Sequence, residues 1–324
     1  MNGQLSGGLA PLGTSGNRIV KLPTGDPVLL RGVNRSGLEY CGPDEQGFLS
    51  GASISRAEID VITNQWRANI VRLPFNQDFV LRGRLGHSGE DYLKAIDQVI
   101  AWASQFGAYT LLDLQWLDSD RIFGGDRNFV APLPNVESIE LWSTLARRYN
   151  DEPAVLYDLF NEPHDRLADD PWLLNKPDGS TYPPTQMAVT MNEWQPWARV
   201  LTQAIRDENP NALVFIGGTN WAYDLRGMPM DLENVVYSTH VYPNKGNTWT
   251  EAFGNLAASA PVFVGEFGCS DSPADQDWLR DLTAYLDQLE LGFTAWSWFN
   301  EPFLVTRYAP TAFGQQVRQT LGGA

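Results

Sequence analysis

The chain has 324 residues, 43% of them hydrophobic and 19% charged, with twelve tryptophans and a formal net charge of −16. Such a chain can bury a large core, while its acidic balance argues against nucleic acid and anionic membrane surfaces, which are held by clustered Lys and Arg. No stretch approaches the ~20 apolar residues of a membrane span, and two cysteines, Cys41 and Cys269, exclude a disulfide framework while leaving one bridge open.

Along the chain, short apolar β-rich runs alternate with longer amphipathic stretches. PVLLRGVN (27–34) precedes SRAEIDVITNQW (55–66), whose apolar residues recur at helical spacing. ANIVRLPF (68–75) precedes DYLKAIDQVIAWASQFG (91–107), and AYTLLDLQW (108–116) precedes VESIELWSTLARRYN (136–150). AVLYDLFNEP (154–163) runs through a long irregular stretch (161–185) into MNEWQPWARVLTQAIRDENP (191–210), which stops at proline. ALVFIGGT (212–219) is followed by the short crossover DLRGMPMDLEN (224–234), with room for one helical turn, and then by VVYSTHVY (235–242). PVFVGEFG (261–268) precedes DQDWLRDLTAYLDQLELG (275–292), with Gly292 as a candidate C-cap. GFTAWSW (292–298) and TAFGQQVRQTLGG (311–323) close the series.

Near-continuous apolar strands belong to parallel sheets buried on both faces. Eight of them with intervening helices and no linker predict a single (β/α)8 TIM barrel spanning residues 1–324. A doubly wound open sheet is the rival, but no GxGxxG follows the first strand and no P-loop occurs.

Barrel enzymes carry their chemistry where strands end. The first strand ends in Asn34, the second in Arg72 and the third in Gln115 and Trp116. The fourth ends in Asn161 and Glu162, the sixth in His240 and Tyr242, the seventh in Glu266 and the eighth in Trp296 and Trp298. Burying so many polar groups without a purpose would be costly. Two strand-end carboxylates, Glu162 and Glu266, fit glycosidic cleavage, in which one protonates the leaving oxygen and the other attacks the anomeric carbon or activates water. In that scheme Arg72 would lower the pKa of Glu266, and Tyr242 would donate a hydrogen bond to it. Glu162 would need a raised pKa, and Asn161 would hold the sugar 2-hydroxyl. The tetrapeptide FNEP occurs twice, at 160–163 and 299–302; only the first copy falls on the required strand, so Glu301 is expected at the rim. Asp113 and Asp158 are expected to make structural hydrogen bonds. Tyr40, Trp116 and Trp221 are candidate aromatic walls, each with ordinary packing as the alternative.

The segments LRGVN, NIVRLPF, FNEPHD, HVY, VGEFG and AWSW fall in this order at the ends of strands 1, 2, 4, 6, 7 and 8. In these the chain resembles family 5 of the glycoside hydrolases, the cellulase family. The resemblance implies Glu162 as acid/base and Glu266 as nucleophile, supported by Arg72, Asn161, His240 and Tyr242, with Trp296 as the platform under the sugar at the cleavage point. One position departs: the family usually has a histidine at the end of strand three, where this chain has Gln115, which hydrogen-bonds but carries no charge. The implied activity is retaining, endo-acting hydrolysis of a β-1,4-glucan by a monomer, with no metal and no organic cofactor. Gln115 leaves β-mannan, xyloglucan and β-1,3-glucan open as substrates. A non-catalytic glycan-binding barrel is the reading from another class, but it should have lost a carboxylate, and both are present. The start MNGQLSGGLAPLG lacks a signal peptide's basic start and apolar run. The expectation is a secreted protein whose leader is absent from this sequence, with a cytoplasmic location as the alternative.

Overall fold

Strand pairing turns the eight apolar runs into a closed ring. The computed structural model describes residues 8–118, 130–167 and 172–323. The N-terminal segment 1–7 and part of the stretch 161–185 lie outside the described residues. Two short strands the sequence did not signal, β1 (Leu12–Ser15) and β2 (Arg18–Lys21), form an antiparallel hairpin. The barrel staves are β3 (Arg31–Asn34), β4 (Ile70–Asn76), β5 (Tyr109–Trp116), β6 (Val155–Asp158), β7 (Val214–Gly217), β8 (Val235–Val241), β9 (Val262–Phe267) and β10 (Gly292–Ala295). All neighbours run parallel, and β10 pairs with both β9 and β3, which closes the ring.

The alternation of each stave sorts its side chains into two apolar cores. Leu30, Ile70, Leu111, Leu156, Phe215, Val236 and Phe263 fill the barrel interior. Leu12 and Ile19 of the hairpin join this interior cluster, and Tyr109 donates its hydroxyl to Ala10 O at 2.8 Å. Outward residues such as Val71, Leu73, Tyr157, Val214 and Val264 pack under the helices.

The long helices fall where the periodicity predicts, with ends set by caps. Helix Gly89–Gln105 starts two residues early because Ser88 and Asp91 form a capping box, and Thr190 with Glu193 does the same for Met191–Glu208. Arg56–Asp60 continues as a π-helical turn, Val61–Gln65. Two expectations need correction. No helix forms over 224–234; the helical turns Thr250–Gly254 and Asn255–Ala257 lie instead between β8 and β9. Nor does Gly292 cap the helix Pro273–Gln288: Glu290 takes the left-handed conformation there, at φ 53°. Gly292 opens β10, where a Cβ would lie 2.4 Å from Leu30 O. Cys41 and Cys269 are both free, so the open possibility of a bridge is closed. No helix among the described residues is long and apolar enough to cross a membrane.

Candidate active site

Arg72 sits at the centre of the barrel mouth. Alternation along β4 sends it inward above Ile70, and its side chain is fully buried. Such a guanidinium must have every donor matched. Nε donates to Asp158 Oδ2 at 2.9 Å, and Nη1 donates to Glu266 Oε1 at 2.8 Å and Asn34 Oδ1 at 2.9 Å. Nη2 donates to Asn161 Oδ1 at 3.0 Å and lies 2.9 Å from Asp113 Oδ1. Asn34 is fixed in turn by donating to Gly265 O and Thr294 O. Arg72→Met would remove the cation shared by three buried carboxyls, Asp113, Asp158 and Glu266; the expected loss is about 3–5 kcal/mol of stability, read from the urea midpoint. Asp158 thus makes the structural hydrogen bond expected of it, whereas Asp113 meets Arg72 as an ion pair and its carboxylate oxygens accept no hydrogen bond, which corrects that expectation.

Glu266 reaches this cluster through a break in the strand pattern. Phe263 of β9 faces the interior, so strict alternation would turn residue 266 toward the helices. The β8–β9 pairing jumps from Thr239↔Val264 to His240↔Glu266, and Gly265 is the extra residue of that bulge. Glu266 thereby faces the mouth beside His240. A Cβ on residue 265 would lie 2.6 Å from Ser238 Oγ and 2.9 Å from His240 Nε2, so glycine is required there. Tyr242 donates its hydroxyl to Glu266 Oε2 at 2.7 Å. Both carboxylate oxygens are therefore held, and the side chain is only 5% exposed.

Glu162 follows β6 and is 20% exposed. His240 Nδ1 lies 2.9 Å from its Oε1 and 3.6 Å from Glu266 Oε2. One oxygen from each glutamate and a ring nitrogen of His240 all fall within 4.8 Å of one another. Burial pushes the Glu162 carboxyl up to about 7 and the His240 imidazole down to about 4. For Glu266, burial raises the pKa, and His240, Arg72 and the Tyr242 hydrogen bond pull it back. The expected lowering by Arg72 exists, but burial outweighs it. The three groups have the spacing of metal ligands, yet Arg72 and Tyr242 already occupy both oxygens of Glu266, and a guanidinium at 2.8 Å opposes a second cation.

A closed parallel barrel with two such carboxyls on its fourth and seventh staves matches what the comparisons find. The cellulase family model, glycosyl hydrolase family 5, matches residues 23–302. The chain belongs to glycosyl hydrolase family 5. Endoglucanase A of Butyrivibrio fibrisolvens is 26% identical over 265 residues, covering 78% of this chain and 50% of the relative. Cellulase CelDZ1 of a Thermoanaerobacterium species is 22% identical, covering 95% of this chain and 75% of the relative. The chain thus spans about half the length of the first of these relatives. The β-glucanase SdGluc5_26A of Saccharophagus degradans shares the fold, with a TM-score of 0.76, 22% identity and coverage of 99% of this chain and 96% of that one.

The remaining residues of this family 5 site fall on two sides of Glu162. A groove of about 870 Å³ is lined by Glu162, Trp221, Tyr242, Lys245, Glu301 and Phe303, among others. Glu301, from the second FNEP, is exposed at this rim and makes no hydrogen bond or ion pair with Arg72. Trp221 stacks on His164, with ring centroids 3.7 Å apart and planes 10° apart. On the other side a cavity of about 90 Å³ is lined by Gln115, Trp116, Asn161, Glu162 and His164. The β4–β5 register shifts at Gln115, and its Oε1 is buried without a hydrogen-bond partner. Trp116 packs against Tyr40 at 5.8 Å. Trp296 stays outside both apolar cores and donates Nε1 to Glu301 O at 3.1 Å, whereas Trp298 is core, edge-on to Trp66 at 4.8 Å.

Sequence reasoning missed Glu39, His164 and Gly265. Glu39 is buried, accepts the Gly37 N–H at 2.6 Å and is pushed up to about 8 by burial. His164 Nδ1 lies 2.6 Å from Glu162 O. The signal for His164 was its place two residues past Glu162; Gly265 carried none beyond being a glycine inside an apolar strand.

Proposed function

We propose that residues 1–324 form one catalytic unit, a monomeric retaining endo-β-1,4-glucanase working by double displacement. Glu266 attacks the anomeric carbon while Glu162 gives its proton to the glycosidic oxygen, so the C–O bond breaks as the glycosyl ester forms. Glu162, now ionised, takes a proton from water; that water attacks the anomeric carbon and releases Glu266. The observation that carries this reading is the approach of the two carboxyls to within 4.8 Å. Retaining sites hold them about 5–5.5 Å apart, whereas inverting sites leave about 6.5–9.5 Å for a water. The roles divide by environment. Glu266 has both oxygens held by donors, which offset part of the cost of burying its anion, whereas Glu162 faces the groove, accepts from neither Arg72 nor Tyr242 and keeps its proton to about pH 7. Asn161 has its amide oxygen tied to Arg72, which leaves its Nδ2 to donate to the 2-hydroxyl. Trp296 is the sugar platform at the cleavage point, and Trp221, beside Glu162, is the platform for the leaving sugar.

The β-glucan preference draws support from the family and from the cellotetraose bound by a Saccharophagus β-glucanase of the same fold. Reducing-sugar release from carboxymethyl-cellulose, β-1,3-glucan, xyloglucan and mannan tests it. The expected result is fastest release from carboxymethyl-cellulose with an early fall in viscosity; preference for mannan would overturn the glucan reading. That second reading keeps the same chemistry on another β-glycan, and the unpartnered Gln115 Oε1 beside Glu162 is what favours it.

A further inference from the structure

The segment Asn220–Trp221–Ala222 has three successive non-glycine residues in the left-handed region, at φ 55°, 61° and 56°. Asn tolerates that conformation; Trp and Ala do not favour it. Something outside the segment must hold it, and two kinds of contact do. The segment is pinned at its base by the bridges Gly218↔Ala222 and Thr219↔Asp224 and by the Trp221 N–H donating to Pro163 O at 3.0 Å. At its outer edge Lys245, from the turn Pro243–Lys245 after β8, donates Nζ to Asn220 O at 2.9 Å and Asn220 Oδ1 at 3.0 Å. Lys245 is half-buried, its ammonium lies 5.9 Å over the Tyr223 ring, and it lines the groove with Glu162 and Trp221. Among the described residues it makes no ion pair, although the chain carries a net charge of −16. The hydrogen bonds of this cation go to a neighbouring turn and not to an acid.

We propose that Lys245 is a positioning residue that latches the left-handed turn 220–222 and so sets the Trp221 ring against the leaving-group side of the cleavage point. The inference rests on the reading of Trp221 as the platform for the leaving sugar. The Trp221 backbone is bonded to the residue after Glu162, and its ring stacks on His164, so a displaced turn would move the ring relative to the acid that protonates the leaving oxygen. Half a ring's shift would lose the stacking face without touching Glu162 or Glu266.

The test compares kcat/KM on cellotetraose with kcat/KM on 2,4-dinitrophenyl β-cellobioside, whose leaving group carries no sugar and needs no proton. W221A and K245M are each expected to lower the cellotetraose-to-aryl ratio about tenfold, and Asn220→Ala, which removes one acceptor, to lower it in the same direction. The double variant W221A/K245M is expected to fall no further than W221A, because the lysine acts through that ring. If W221A lowers the ratio and both K245M and Asn220→Ala leave it unchanged, the latch is overturned while the platform reading stands. Additive losses in the double variant would also overturn the latch. An unchanged ratio in W221A would remove the platform reading and the latch together.

Discussion

Glu266→Ala is expected to lose turnover of cello-oligosaccharides by on the order of 10⁵-fold or more, the scale on which removal of a covalent nucleophile acts. In the proposed mechanism the loss is chemical, because the attacking carboxylate itself is removed. Asp113 and Asp158 are engaged by Arg72 at 2.9 Å, and Glu162 is the proposed acid. Replacing the carboxylate by a methyl group leaves a space lined by Arg72 and Tyr242, two donors suited to an anion. Azide entering that space would attack an activated aryl β-cellobioside from the face opposite the leaving group. The expected product is therefore the α-glycosyl azide, identified by NMR. Recovery of no glycosyl azide, or activity within tenfold of the parent enzyme, would contradict the assignment of Glu266.

Glu162→Ala is expected to give a different signature, because the need for an acid depends on the leaving group. On cello-oligosaccharides the loss should be about 10²–10⁴-fold, the usual contribution of a positioned proton donor. On the dinitrophenyl glycoside formation of the glycosyl-enzyme needs no proton, so that step stays fast and its hydrolysis, which lacks a base, becomes limiting. Azide needs no base, so it should speed turnover and yield the β-glycosyl azide, the product of two inversions. The pH profile should change with it. Burial raises Glu162 to about 7, so it is protonated below that value and loses its proton as pH rises through it. In the parent enzyme kcat/KM on oligosaccharides should therefore fall on the alkaline side of about pH 7. His240 is neutral above about pH 4 and adds no alkaline limb. In the Glu162→Ala variant that limb should disappear; its persistence would assign the titration to another group.

The eight staves and most of the long helices were legible in the sequence because their signals are local. Runs such as IVRLPF and VFVGEF are apolar on both faces, and DYLKAIDQVIAWASQ keeps its helical period throughout. The carboxyls were legible too: a polar residue ending an apolar strand marks a barrel mouth wherever it occurs. The hairpin Leu12–Ser15/Arg18–Lys21 was not, since each strand has four residues and joins a core built almost wholly by distant residues. The helical turns at 250–257 were missed because they are short and lack a long amphipathic repeat.

What the sequence determined by itself is the order of strands and helices and the identity of the groups at the strand ends, because periodicity and side-chain chemistry are properties of neighbouring residues. Tertiary structure alone decided how those groups meet. Alternation by itself would have turned Glu266 away from the mouth, and only the pairing of β9 with β8 places the bulge at Gly265 that turns it back. The partners of Arg72 come from four other staves and the loop after one of them, and Lys245 reaches Asn220 across 25 residues. Contacts of that kind exist once the ring has closed, since closure brings distant strand ends within hydrogen-bonding distance in a space from which water is largely excluded.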